Sequence, residues 1–171
     1  MKKIILTGVE STGKTALAQS IAGYYKCPLV QEYSRIYLKD IGTSYQQTDL
    51  INILQGQFDL EADVIRDNHE LMVCDTGPIV IKVWSLFKYG NVDPKIANAV
   101  KSYKADLFII PNPVGVPFEE DKLRENRDSR DQLYQMYIDE LIQLDIPFLI
   151  VTGSFEERLN QVIDAIDAIL L

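Results

Sequence analysis

The chain is poor in the residues that staple small proteins together. Its 171 residues include two cysteines and one histidine. Cys27 and Cys74 form no Cys-x-x-Cys pair and His69 stands alone, so neither a disulfide framework nor a structural zinc site is expected. Long apolar runs are missing too, since no stretch approaches the roughly 18 residues of a membrane span. The opening Met-Lys-Lys-Ile-Ile-Leu imitates a secretion signal, but its apolar run stops at Thr7-Gly8, short of the apolar core such a signal needs. Positive charge is scarce: 17 Lys and Arg stand against 25 Asp and Glu, a net charge of −8. Such a field repels polyanions, so nucleic acid and acidic membrane surfaces are not expected partners. Two isolated thiols without a secretion signal point to a reduced, cytoplasmic setting.

What is present is the composition of a soluble globular protein, 47% hydrophobic and 25% charged, with a length that fits one domain over 1–171. Short β-rich runs alternate with segments of helical spacing, the pattern of an α/β fold with a parallel sheet and crossover helices. Residues 3–6, 71–75, 106–110 and 147–151 are nearly all apolar, as in strands buried on both faces, and 28–31 is a weaker fifth. Leu17, Ile21 and Tyr24 repeat at helical spacing, as do Leu54, Phe58, Ala62 and Ile65, then Leu133, Tyr137, Leu141 and Leu144. Leu159, Val162, Ile163, Ile166, Ile169 and Leu170 form the clearest apolar stripe of a final helix. The one compositional break is 111–130, with three prolines, one glycine and nine charged residues. A polar excursion of that length inside a compact domain reads as a lid, spanning about 112–130.

Gly8-Val9-Glu10-Ser11-Thr12-Gly13-Lys14-Thr15 satisfies G-x-x-x-x-G-K-[ST] in full, between the first predicted strand and the first predicted helix. Its glycines let the backbone curl so that successive N–H groups converge on a phosphate, and the helix N-terminus adds its positive dipole end. Glu10, Ser11, Thr12, Gly13, Lys14, Thr15 and Ala16 are therefore expected around the phosphates of ATP. Lys14 reaches the β- and γ-phosphates, and the Thr15 hydroxyl ligates Mg²⁺. Asp75 ends an apolar strand, where a carboxylate supports Mg²⁺ or takes a proton from an attacking hydroxyl. Thr76 follows it, where many ATP-hydrolysing motors carry a glutamate that positions water. That favours transfer to a bound hydroxyl. No Asn-Lys-x-Asp guanine-reading motif is present.

Taken together, GVESTGKT, Glu32-Tyr33-Ser34-Arg35 after the second strand, Cys74-Asp75-Thr76 and the arginine-bearing segment before the last strand resemble the ribosylnicotinamide kinase domain of NadR-type proteins. That family lies within the AAA-like P-loop group of small nucleoside and nucleotide kinases, and the resemblance spans nearly the whole chain. It implies a three-layer α/β/α P-loop NTPase fold with a five-stranded parallel sheet, like a nucleoside monophosphate kinase. The activity implied is MgATP-dependent phosphorylation of the 5′-hydroxyl of nicotinamide riboside to nicotinamide mononucleotide. Another nucleoside or nucleotide as acceptor, or a regulatory ATPase without one, are the alternatives. The P-loop begins at residue 8 and no His-x-Gly-His signature occurs, so adenylyl transfer and operator binding are not expected of this chain.

Glu32 and Arg35 fall just beyond a strand's carboxyl end, the edge where open α/β sheets bind ligands. With Tyr33 they are candidates to hold the acceptor, or else form a surface i, i+3 ion pair. Arg124, Arg127 and Arg130 sit three apart in the lid. Arg124 and Arg127 are candidate catalytic cations for the transferring phosphoryl and Arg130 a further ATP ligand; the alternative is a solvated charge run. Thr152-Gly153-Ser154 is either a turn near adenine or a helix start capped by Ser154. Tyr33, Tyr37, Trp84 and Tyr89 either stack on a planar base or fill the core.

Overall fold

The computed structural model describes residues 1–118 and 128–171. Strands β1 (Lys2–Leu6), β2 (Leu29–Val30), β3 (Leu71–Asp75), β4 (Leu107–Pro111) and β5 (Phe148–Val151) form one parallel sheet in the order β2-β3-β1-β4-β5. Helices α1 (Lys14–Tyr25), α2 (Tyr33–Ile41), α3 (Gln47–Arg66), α4 (Pro78–Tyr89), α5 (Pro94–Ser102), α6 (Arg130–Gln143) and α7 (Phe155–Leu170) surround it. Among the described residues no helix is long and apolar enough to cross a membrane.

Side chains alternate across each strand, and both faces are apolar. Ile4, Leu6, Val73 and Ile109 pack against Leu17, Ile21, Val162 and Ile166 of α1 and α7. Ile5, Met72, Phe108 and Ile110 pack against Ile79, Val83, Val100, Leu133 and Leu141 of α4, α5 and α6. Burying one such side chain is worth about 1.5–3 kcal/mol, against a net of about 1 kcal/mol for a ladder hydrogen bond. The two helical layers therefore decide that the sheet forms, and it is the three-layer α/β arrangement expected. A third apolar cluster joins Leu38, Tyr45, Leu50, Ile53, Leu54, Ile81 and Ile96 beside the sheet.

Three expectations are corrected. β5 is not buried on both faces: it lies at the sheet edge and leaves Ile150 39% exposed. In α1 the position after Ile21 that turns inward is Tyr25, while Tyr24 faces solvent. In α3 the buried face runs through Leu50, Ile53, Leu54, Gln57 and Glu61, and Ile65 is exposed. Glu61 is tolerated there because Lys3 Nζ meets its Oε2 at 2.7 Å and Tyr103 Oη donates to its Oε1 at 2.7 Å. Lys3 Nζ also lies 4.6 Å from the centre of the Tyr103 ring, so the charge is matched on both sides.

The close approach of α2 to α3 depends on Gly56. A Cβ at that position would overlap the Tyr33 ring, while Gln57 Oε1 accepts from the Tyr33 backbone N–H at 2.9 Å. This contact sets where α2 begins. Gly56→Ala is expected to lower stability by roughly 1–3 kcal/mol, the usual cost of overpacking. In urea titrations, the combination with Tyr33→Ala should lose clearly less than the sum of the two single losses; additive losses would show that the two residues do not meet.

Candidate functional site

The phosphate loop sits between β1 and α1, and its backbone requires its residue types. Gly8 has φ +115° and a Cβ there would lie 3.1 Å from Ile110 Cγ1, so both conformation and space favour glycine. Ser11 and Gly13 also lie at positive φ, 56° and 81°, the alternation that turns successive N–H groups toward one concavity. Gly13 caps α1 without a side-chain bond, and no acidic residue occupies the helix's first turn. The positive end of α1 is thus left open to an anion. Thr12 Oγ1 and Lys14 Nζ both donate to Val9 O, at 2.9 and 2.6 Å, which shapes the loop from within.

A cavity of about 440 Å³ opens on this loop. Its walls include Gly8 through Ala16, then Glu32, Ser34 and Arg35 from the start of α2, and Thr76 after β3. The i, i+3 ion pair is present, Arg35 Nε to Glu32 Oε2 at 3.0 Å, and Ser34 Oγ donates to Glu32 Oε1 at 2.7 Å. The ion-pair reading is therefore the one the contacts show, and the pair lines the cavity rather than a remote surface. Tyr33 does not belong to the cavity wall. Its ring packs on α3 over Gly56, 6.3 Å from that of Tyr37.

Asp75 ends β3 and is 3% exposed. Its carboxyl accepts a hydrogen bond from the Thr15 side chain, and Oδ1 has no hydrogen-bond partner among the described residues. Burial pushes the Asp75 carboxyl above the usual carboxylate range, the Thr15 bond pulls it back, and the Glu32 charge pushes it up again. Lys14 is shifted the other way: desolvation lowers its ammonium below the ordinary lysine range, against the raising charges of Glu32, Asp75 and Glu10. Thr15 and Asp75 thus converge with an orphaned, buried carboxylate oxygen, a donor set that fits a divalent cation shared with phosphate oxygens. Thr76 carries φ 86°, an outlier for a β-branched residue, and is held there by its N–H donating to Leu6 O at 3.1 Å.

Among the aromatic candidates, Trp84 alone lines the cavity, and Tyr37 and Tyr89 turn their hydroxyls to Asp49 Oδ1 and Tyr45 O. Tyr45 and Phe87, which no sequence pattern singled out, line it as well, as does Tyr137, which the sequence marked only as part of a helix's apolar face. Trp84 Nε1 donates to Tyr45 Oη at 2.7 Å with the rings edge to face, 4.8 Å between centres. Ser154 caps α7 in a reciprocal capping box with Glu157. Arg124 and Arg127 lie outside the described residues, within the segment expected as a lid. Its two ends are described: Val116 lines the cavity, and Arg130 donates to Ser11 O and Val116 O, both at 2.7 Å. Sequence reasoning also missed Arg158. It is 5% exposed and donates from α7 to Gly153 O, Thr12 O and Asn112 O. The one available cue was a cation in a first helical turn, where acidic residues are favoured.

The raised Asp75 carboxyl has a consequence for stability. Above its folded-state titration both states are ionised and only the folded one suffers the burial, so the wild type is penalised at neutral pH; below the unfolded value of about 3.9 both are protonated and the penalty is gone. In metal-free protein, Asp75→Asn is therefore expected to melt higher than wild type at pH 7, with the gap closing as pH falls toward 4. Melting curves of the two proteins across that range test it, and a variant that melts lower at pH 7 would refute it.

Residues 3–158 match the AAA domain family. Among solved structures, the chain superposes on NadR protein in complex with NR at a TM-score of 0.82 and 21% identity, covering 96% of this chain and 48% of that one. NadR in complex with NAD and AMP-PNP matches at 0.82 and 20%, with the same coverage. The chain thus spans about half the length of the NadR chains it matches. Deoxyadenosine kinase from M. mycoides, with products dCMP and dCDP bound, matches at 0.66 and 17%, covering 97% of this chain and 99% of that one. At these identities the likeness is one of fold. With a family match that runs from β1 into α7 and a complete phosphate loop between β1 and α1, the chain belongs to the AAA domain family of P-loop NTPases and has the fold of small nucleoside kinases.

Proposed function

We propose that the protein transfers the γ-phosphoryl of MgATP to the 5′-hydroxyl of a nucleoside, with nicotinamide riboside the favoured acceptor and nicotinamide mononucleotide the product. The observation that carries this reading is one cavity lined by the phosphate loop, by the Glu32–Arg35 pair and by Tyr45, Trp84, Phe87 and Tyr137. A polyphosphate, sugar hydroxyls and a planar base find their complementary groups within a single enclosure. The solved NadR structure with NR and the deoxyadenosine kinase structures share the fold and support the same class of acceptor.

Charge favours a nucleoside over a nucleotide. The described lining residues supply two cations, Lys14 and Arg35, and Arg35 is paired with Glu32. A second acceptor phosphate would find no further cation among them. A pyridinium ring, by contrast, suits a wall of aromatic faces with carboxylates nearby. In the transfer, Lys14 and the N–H groups of the loop bind the phosphates, and Glu32, braced by Ser34 and Arg35, orients the ribose hydroxyls. The Asp75 carboxylate takes the proton of the attacking 5′-hydroxyl. Thr15 and Asp75 would hold Mg²⁺, which would supply charge neutralisation at the phosphates when bound. The MgATP requirement and two free thiols, Cys27 and Cys74, are consistent with a cytoplasmic enzyme.

The test is phosphoryl transfer from MgATP to a nucleoside panel that includes nicotinamide riboside, its neutral dihydro form and nicotinic acid riboside. Nicotinamide riboside should be the best substrate, and Lys14→Ala should lower kcat by at least a hundredfold while the fold, read by circular dichroism, persists. ATP hydrolysis unchanged by any nucleoside would replace the kinase by a regulatory ATPase. Equal use of the neutral and cationic forms would remove the argument for a charged ring. Trp84→Ala should raise KM for the nucleoside more than it lowers kcat.

A further inference from the structure

Arg158 and Arg130 grip consecutive peptide planes of the phosphate loop. Arg130 Nη2 donates to Ser11 O at 2.7 Å, and Arg158 Nη1 donates to Thr12 O at 3.3 Å. No cis peptide bond occurs among the described residues, and in a trans peptide the carbonyl and the following N–H point in opposite directions. A carbonyl drawn toward a guanidinium therefore turns its partner N–H away from it. The partners are the N–H of Thr12 and the N–H of Gly13, both residues of the cavity wall. Neither donates to a backbone carbonyl among the described residues.

Stability alone does not account for Arg158. The side chain is buried, sits in the first turn of α7 where a cation opposes the helix dipole, and forms no ion pair with a described carboxylate. Its partners are three carbonyl oxygens from three loops at the carboxyl edge of the sheet: Gly153 O at 2.8 Å, Asn112 O at 3.1 Å and Thr12 O. A guanidinium presents donors in a rigid planar fork, so it can fix three carbonyls in one arrangement. Arg130 lies close enough for the two charges to be felt by one another. Arg130 is partly offset by the Asp131 carboxylate beside it, whereas Arg158 faces only carbonyl oxygens among its hydrogen-bond partners. A cation held behind the loop favours the approach of an anion at its front.

We infer that Arg158 is a positioning residue for the nucleotide's phosphates: acting through the 12–13 peptide, and in concert with Arg130 on the 11–12 peptide, it aims the Gly13 and Thr12 N–H groups at the polyphosphate before it binds. The inference rests on the reading of the loop as an ATP site and concerns affinity, whatever the acceptor.

The experiment uses the full chain with MgATP and with inorganic tripolyphosphate, which has no base to contact the other two loops. Affinities are taken from NMR titrations in which the Thr12 and Gly13 amide resonances are followed. Arg158→Gln should weaken both ligands by fivefold or more, by similar factors, and shrink the ligand-induced shifts of the two amides relative to distant ones. Arg158→Lys, which keeps the charge and loses the fork, should also weaken both, and it carries the test on its own if Arg158→Gln does not fold. Unchanged affinities in a folded variant would overturn the inference. So would a loss confined to MgATP, which would place the role of Arg158 at the base-side loops. If wild-type protein binds MgATP yet phosphorylates no nucleoside, the kinase reading fails while the comparison of affinities still decides the role of Arg158.

Discussion

The site depends on the central strand being hydrogen-bonded on both sides in one register. β1 pairs with β3 so that Leu6 stands opposite Asp75, and with β4 so that Leu6 stands opposite Ile109. The ladder continues one step beyond the strands, with Thr76 N–H on Leu6 O and Thr7 N–H on Ile109 O. Parallel strands that end level release their following loops at one edge. The phosphate loop, Thr76 and the segment after β4 are therefore neighbours by construction. A slip of one residue in either pairing would exchange the faces of every side chain on the strand, setting Ile5 and Phe108 against the wrong helical layer.

Around that frame, polar groups are held where burial opposes them. Asp75 is ionisable and enclosed, Lys14 is desolvated, Thr76 occupies a backbone region that suits glycine, and Arg158 is buried among carbonyls. Each opposes folding in isolation, and each is tolerated because the flanking strands and helices leave no alternative position. Such concentration of strain and displaced proton affinity marks a place where the fold gives up stability to keep groups ready. The apolar layers of the sheet supply the margin.

Legibility in the sequence followed locality. The phosphate loop is eight contiguous residues with a fixed spacing, and Asp75 ends an uninterrupted apolar run, so both could be read before any tertiary contact was known. All five strands could be placed within a residue or two for the same reason. The cavity's other wall could not: Tyr45, Phe87 and Tyr137 come from three separate parts of the chain and meet only once the helices pack. Arg158 was hidden by distance, since Thr12 and Asn112 lie 146 and 46 residues away from it. The buried face of α3 was misjudged because Gln57 and Glu61 look solvent-facing until their partners, the Tyr33 N–H and Lys3, are in place. The starts of α4 and α5 carried a local sign, a proline in the first turn, too weak beside short, mixed spacing to define a helix.

The trio of Lys3, Glu61 and Tyr103 bears on how this sequence can drift. Replacing Lys3 alone strands a carboxylate behind β3, and replacing Glu61 alone leaves an ammonium and a phenol facing each other, each a change of several kcal/mol by the usual behaviour of broken buried pairs. Exchanging all three for apolar side chains of similar volume would be close to neutral. The intermediate steps are steep while the end points are level, so β1, α3 and the end of α5 are tied into one evolutionary unit. Descendants of this chain would tend either to keep the whole trio or to have lost it entirely.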